Sequence, residues 1–326
     1  MIDFFTHVVP PGYKQALSRS MPELDKRIAA MPTLYDMDRR FRIMDNYENL
    51  TQVLTLSLTA ALVLEKPGPA LDFAERANDE MAELVAKHPD RFIAAAASLP
   101  MTDMDAALNE LDRAVLDLNL KGLQLFTPTL DKPLDSPEFL PLFERMAELD
   151  LPVWIHPVRW MDRPDYQTLK ESKYYIYHIF GWPYETTAAM VHLVFSGILD
   201  RFPGIKIIAH HCGGMVPFFE QKIVEAYNAS AIIHAQEYKG LLPKAPIDYF
   251  RMFYADTALN GSAAGLQCGY AFFGADHLLF ATDMPFDVEF GNRGIRKTIE
   301  SVEALGLGPA EKKRIYEENA RRLLRL

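Results

Sequence analysis

Cysteine is nearly missing from this chain: Cys212 and Cys268 are the only two in 326 residues. That excludes a disulfide framework and makes a reducing cytoplasm the expected compartment. Long apolar runs are also missing. No stretch approaches the roughly 18 consecutive apolar residues of a membrane helix. No basic segment followed by an apolar one opens the sequence as a secretion signal would. Positive charge is in deficit, with 34 Lys and Arg against 44 Asp and Glu and a formal net charge of -10. Nucleic-acid binders and anionic membrane surfaces call for basic patches, so neither is an expected partner. Phosphate-loop, serine-elbow, Cys-x-x-Cys and His-Glu-x-x-His signatures are absent, and no Gly-x-Gly-x-x-Gly turn follows a strand.

What is present is a chain with 49% hydrophobic and 24% charged residues, enough to bury a large core. Short apolar runs alternate with longer amphipathic segments. The runs predict strands at 2–7, 52–58, 91–98, 121–126, 152–156, 205–210, 251–255 and 277–282. Helical periodicity follows at 37–46, 70–87, 103–118, 136–149, 184–201, 215–236, 259–273 and 292–305, and a last helix covers 309–325. Eight strands, each followed by a helix, predict a (β/α)8 barrel, a TIM barrel, running through residues 1–326 as a single domain. The strands are continuously apolar, as expected of a parallel sheet covered on both faces. A doubly wound open sheet is the rival arrangement.

Four strand ends carry groups that bind metals or move protons: His7, His156, the pair His210-His211, and Asp283. A barrel gathers such ends at its C-terminal mouth. Taken singly, His7 and His156 could be hydrogen-bonded core histidines, and Asp283 a turn cap. Together they form a plausible shell for zinc or a similar ion. Neighbouring residues on a strand face opposite ways, so only one of His210 and His211 is expected in the mouth. That histidine suits acid–base work. Cys212 reads as a small buried thiol. Gly213 and Gly214 would let backbone approach a ligand or open the next helix. Asp256, ending the seventh strand, could be a functional group or a cap.

Two connections, 8–36 and 157–183, exceed what a barrel needs. The second contains Trp160, Tyr174, Tyr175, Tyr177, His178 and Trp182, a composition that fits a substrate pocket wall or an oligomer contact. Arg39, Arg40 and Arg42 read as a solvated charged face.

In this order and spacing, Ile2-Asp3-x-x-x-His7, Arg40-x-x-x-Met44-Asp45, Val153-Trp154-Ile155-His156-Pro157, Pro183-x-Glu185-Thr186-Thr187, Arg201-Phe202-Pro203, His211-x-Gly213-Gly214-x-x-Pro217-Phe218 and Thr282-Asp283-x-Pro285-Phe286 stand out. With these residues the chain resembles the amidohydrolase-related (amidohydrolase 2) decarboxylases typified by 2-amino-3-carboxymuconate-6-semialdehyde decarboxylase. The resemblance implies His7, His156 and Asp283 as ligands of one divalent ion. Zinc is the expected ion and manganese the alternative. It also implies His211, with Asp283, as the proton-handling group and Arg40 as the grip on a substrate carboxylate. Two departures stand out. Phe5 occupies a position where relatives place His or Glu, leaving the shell incomplete. Lys222 replaces a second arginine, keeping its charge without the fork.

The expected activity is a metal-dependent, non-hydrolytic decarboxylation (a carbon–carbon lyase) of a small unsaturated or aromatic carboxylic acid. Trp160, Tyr175, His178 and Lys222 join Arg40 as candidate substrate contacts. Hydrolysis of an ester, lactone or amide, hydration of an unsaturated acid, and a metal-poor non-catalytic relative are the competing readings. A homodimer is expected from the resemblance.

Overall fold

A computed structural model, which describes residues 1–238 and 240–326, contains eight parallel strands. They are β1 (Ile2–Val8), β2 (Thr51–Leu56), β3 (Phe92–Ala95), β4 (Leu123–Thr127), β5 (Pro152–Pro157), β6 (Lys206–Ala209), β7 (Tyr254–Asp256) and β8 (Leu278–Leu279). Every predicted strand is found, most of them shorter than the apolar run that predicted it.

The strands pair in sequence order as one arc, β1-β2-β3, and a second, β4-β5-β6-β7-β8. Backbone hydrogen bonds span both seams. Between β3 and β4, Ala97 N donates to Gly122 O at 2.8 Å and Gln124 N to Ala97 O at 3.0 Å. Between β8 and β1, Phe4 N donates to Phe280 O and His7 N to Met284 O, both at 2.8 Å. With helices packed outside, this is the (β/α)8 barrel. Its interior is filled by side chains: Trp154 stacks on Phe4 at 4.8 Å and donates from Nε1 to the Phe4 carbonyl at 3.1 Å. Among the described residues, no helix is long and apolar enough to cross a membrane.

The helix Ala70–Lys87 coincides with its predicted span, because its buried residues recur at helical spacing from Ala70 to Leu84. The connection after β1 holds helices Pro11–Ser20 and Pro22–Ala29, each opened by a proline whose missing N–H costs nothing there. The helix predicted from 215 begins at Glu220. Ahead of it, Gly213 and Gly214 turn the chain with φ of 73° and 60°. A Cβ on Gly214 would lie 2.5 Å from the Pro183 carbonyl oxygen, so that glycine serves a close helix–turn approach instead of a ligand.

Candidate active site and metal centre

The ends of β1 and β5 and the turn after β8 bring His7, His156 and Asp283 together. His7 is fully buried. Its Nδ1 lies 3.0 Å from the Thr55 hydroxyl, and its Nε2 lies 3.0 Å from Asp283 Oδ1. His156 places Nδ1 2.8 Å from the Pro157 carbonyl, which leaves Nε2 as its free acceptor. The two imidazole centroids are 5.2 Å apart.

Both histidines after β6 enter this cluster, contrary to the expectation that only one would. His210 follows the strand's alternation: Ile208 packs inside the barrel, and so does the residue two further on. His211 leaves the strand path with φ 54°, a left-handed conformation costly for a non-glycine residue, which swings its ring inward as well. His210 Nε2 lies 3.6 Å from Asp283 Oδ1, and His211 Nε2 lies 3.8 Å from Asp283 Oδ2. Asp283 is itself at φ 60°. Asp256 does more than cap the turn that follows β7. Fully buried, it accepts from Cys212 N at 3.0 Å and Ala258 N at 3.1 Å and binds His210 Nδ1. Burial pushes the Cys212 thiol up, consistent with an inert side chain.

The charge states follow from burial and from these neighbours. Burial depresses His7, partly offset by Asp283. Burial, with His210 and His7, holds His156 well below the usual imidazole range. Burial also opposes charge on His210, but the Asp256 and Asp283 carboxylates outweigh it and raise that imidazole to about 9. His211 is lowered by burial and by His210. Burial would raise Asp283, yet the imidazoles of His210, His211 and His7 beside it hold it well below the carboxylate range.

These residues fit a divalent cation. His7 Nε2, His210 Nε2 and Asp283 Oδ1 are buried without a well-directed hydrogen bond. Such orphaned atoms are costly unless a further partner is shared between them. Donors on one zinc-sized ion stand about 3 to 3.5 Å apart, matching the 3.0 and 3.6 Å separations here. Among the described residues, the ligand-competent groups are His7, His156, His210 and His210, His211, Asp283.

A cavity of about 1170 Å³ opens above the cluster, with His156, His211 and Asp283 on its wall. Trp160, Tyr175 and His178 line it, together with Tyr177 and Trp182. His178 packs on Trp182 at 4.1 Å, and Trp182 meets His156 at 5.3 Å. The other two expected substrate contacts lie elsewhere. Arg40 is fully buried beneath the site and off the cavity wall, with four of its five N–H donors committed: Nε to Gln52 Oε1 at 2.7 Å, Nη1 to the His7 and Thr33 carbonyls, and Nη2 to Thr6 Oγ1 at 2.8 Å. That placement ties Arg40 to β1 and keeps it from a substrate in the cavity. Lys222 is exposed, 5.6 Å from the Phe219 ring and away from the cavity wall. The sequence reading missed Arg27, Asn260, Phe286 and Phe290 on that wall. Phe286 was legible as part of Thr282-Asp283-x-Pro285-Phe286; Arg27 carried no signal.

The amidohydrolase family model matches residues 2–326, and the chain belongs to that family. It is 31% identical over 320 residues to a gamma-resorcylate decarboxylase of Polaromonas sp. (strain JS666), covering 94% of this chain and 91% of that one. It is 30% identical over 252 residues to the 2-amino-3-carboxymuconate-6-semialdehyde decarboxylase of Dictyostelium discoideum, covering 77% and 67%. The crystal structure of a dihydroxybenzoic acid decarboxylase from Polaromonas sp. JS666, with bound manganese and the inhibitor 2-nitroresorcinol, superposes with a TM-score of 0.79 at 28% identity. That match covers 100% of this chain and 96% of the other.

Proposed function

We propose that this protein is a metal-dependent decarboxylase of a small aromatic carboxylic acid. The observation that carries the reading is the His7–His156–Asp283 cluster, in which His7 Nε2 and Asp283 Oδ1 are buried without a hydrogen-bond partner, set at the floor of an aromatic cavity. The decarboxylase names of the relatives support the same chemistry.

His7, His156 and Asp283 would hold one divalent ion. Bound there, the ion supplies Lewis acidity toward the oxygen substituents of an acid. Imidazole donors suit zinc; the manganese in the Polaromonas structure favours manganese. Trp160, Trp182 and Phe286 flank the cavity and exclude water from the aromatic face of the substrate. In the reaction the bond from the ring carbon to the carboxylate breaks, carbon dioxide leaves, and the electron pair left on carbon takes up a proton. His211 and Asp283, 3.8 Å apart on the cavity wall, handle that proton.

The test is carbon dioxide release from a panel of mono- and dihydroxybenzoates and carboxymuconate-like acids, with zinc or manganese supplied. Lactones and esters run beside them. Release from a hydroxybenzoate is expected; ester or lactone cleavage without any release of carbon dioxide would replace this reading with a hydrolytic one. A homodimer is supported by exposed Phe218, Ile232 and Ile233 in the segment after β6, and light scattering at several concentrations tests it.

A further inference from the structure

Phe5 lies inside the barrel, its ring centroid 5.3 Å from that of His7 and 6.0 Å from that of His156. It cannot donate to a cation, and it leaves the cluster of His7, His156 and Asp283 with an apolar flank. His210 covers that flank. Its ring is 4.0 Å from Phe5 and 5.1 Å from His156, centroid to centroid. We propose that His210 is the fourth protein ligand of the metal, supplied from the end of β6 to complete a shell that Phe5 leaves open. The proposal rests on the metal-site reading above and extends it.

Three observations carry it. First, His210 Nε2 is buried with no hydrogen-bond partner and lies 3.6 Å from Asp283 Oδ1, the same oxygen that His7 Nε2 approaches at 3.0 Å. Three donor atoms around one point is the arrangement of ligands. Second, His210 Nδ1 is held by Asp256, itself fixed by two backbone N–H groups. Metal-bound histidines are oriented in this way by a carboxylate on the second nitrogen. Third, His210 is fully buried and absent from the cavity wall, where His211 stands. A buried imidazole that cannot reach a substrate has no use as a proton donor to one, so the adjacent histidines divide the work: His210 to the metal, His211 to the proton. The left-handed backbone at His211 is what lets both rings turn inward.

The experiment measures metal affinity directly, by equilibrium dialysis with zinc and manganese and by the visible spectrum of the cobalt-substituted protein. The proteins are the full-length chain, His210→Ala, His211→Ala, Asp256→Asn and the double variant Phe5→His/His210→Ala, each checked for fold by circular dichroism. His210→Ala is expected to bind metal at least about 100-fold more weakly and to alter the cobalt spectrum, and Asp256→Asn to weaken binding about 10-fold or more. His211→Ala should keep affinity within a few-fold. The double variant should recover binding, because a new imidazole enters from the Phe5 side. Unchanged affinity in His210→Ala, or an equal loss in His211→Ala, overturns the proposal. Should His210→Ala not fold, Asp256→Asn decides: unchanged affinity and cobalt spectrum overturn it. A full-length chain that binds no metal removes both this proposal and the metal-dependent reading. Metal bound with the expected variant pattern, but no carbon dioxide from any acid, supports the ligand assignment and sinks only the decarboxylase reading.

Discussion

Arg40 Nη1 donates to the carbonyl oxygen of His7 at 2.7 Å, from inside the protein and beneath the cluster of His7, His156 and Asp283. The same guanidinium reaches Thr6 and Gln52, and Gln52 contacts Asp3 at 3.4 Å. Asp3 in turn accepts from Thr282 N at 2.9 Å and Thr282 Oγ1 at 2.6 Å. A single buried network therefore ties the end of β1, which carries His7, to the turn that carries Asp283.

Arg40→Ala should consequently act through position and stability, not through substrate binding. Removing one member of a buried charged network costs about 3 kcal/mol or more. Denaturant unfolding should show that loss, and kcat should fall while KM changes little. Arg40→Lys should not restore activity, because one ammonium cannot replace four directed contacts. A large rise in KM at unchanged kcat would return Arg40 to the substrate.

The barrel was legible because each buried strand is an apolar run bounded by turn residues, and parallel strands covered on both faces carry that signal strongly. The helices at Pro11 and Pro22 were not: segments this short are stable only through tertiary packing, and a proline at the first turn is a weak cue. Of the site, His7, His156 and Asp283 were readable as strand ends. The joint entry of His210 and His211 was not, because strand alternation forbids it and nothing in the identity of His211 announces a positive φ. Arg40 shows the limit of reading a charge run as a solvated face. In the helix Met37–Met44, Arg39 and Arg42 face outward, whereas Arg40 and Met44, four apart, form the buried face.

Asp3 makes stability depend on pH. Burial raises its carboxyl to about 7, against bonds from Thr282 and the attraction of Arg40. The unfolded chain releases this proton near the ordinary carboxyl value, whereas the folded chain keeps it to about 7. The folded state thus holds the extra proton between those limits, and its stability falls as pH rises through them. The contribution is at most about 4 kcal/mol for a shift of this size. Asp3→Asn, neutral throughout, should flatten the melting temperature profile relative to the parent between about pH 4 and 7. Parallel profiles for the two proteins would count against a raised Asp3.

Arg27 is the only Lys or Arg on the cavity wall and makes no ion pair among the described residues. Asp162, Asp283 and Asp287 otherwise make that wall acidic. An exposed guanidinium facing such a cavity is free to pair with an acidic substituent at the rim of a bound substrate. Arg27→Ala should raise KM about 10-fold for substrates with a second acidic group, as expected for loss of one charge-assisted contact, and change kcat little. Melting temperature should not move. Equal effects on acids with and without the second group would place Arg27 outside recognition.

Gly269, in the helix Ala263–Phe273, leaves room for the residue next to His211. A Cβ at this position would lie 2.1 Å from Cys212 Sγ, with the Cys212 backbone pinned by Asp256. The helix cannot yield without moving its buried Phe272 and Phe273, so the strain falls on the turn that aims His211. Gly269→Ala would ordinarily stabilise a helix by roughly 0.5–1 kcal/mol. Here overpacking should reverse the sign and destabilise by about 1–3 kcal/mol, with a fall in kcat. Cys212→Ala deletes the clashing sulfur. In the double variant, stability and kcat should both exceed those of Gly269→Ala alone, a coupling that a double-mutant cycle measures directly. Additive losses would mean that the helix and the turn yield independently, and that the sulfur is not what fixes the His211 backbone.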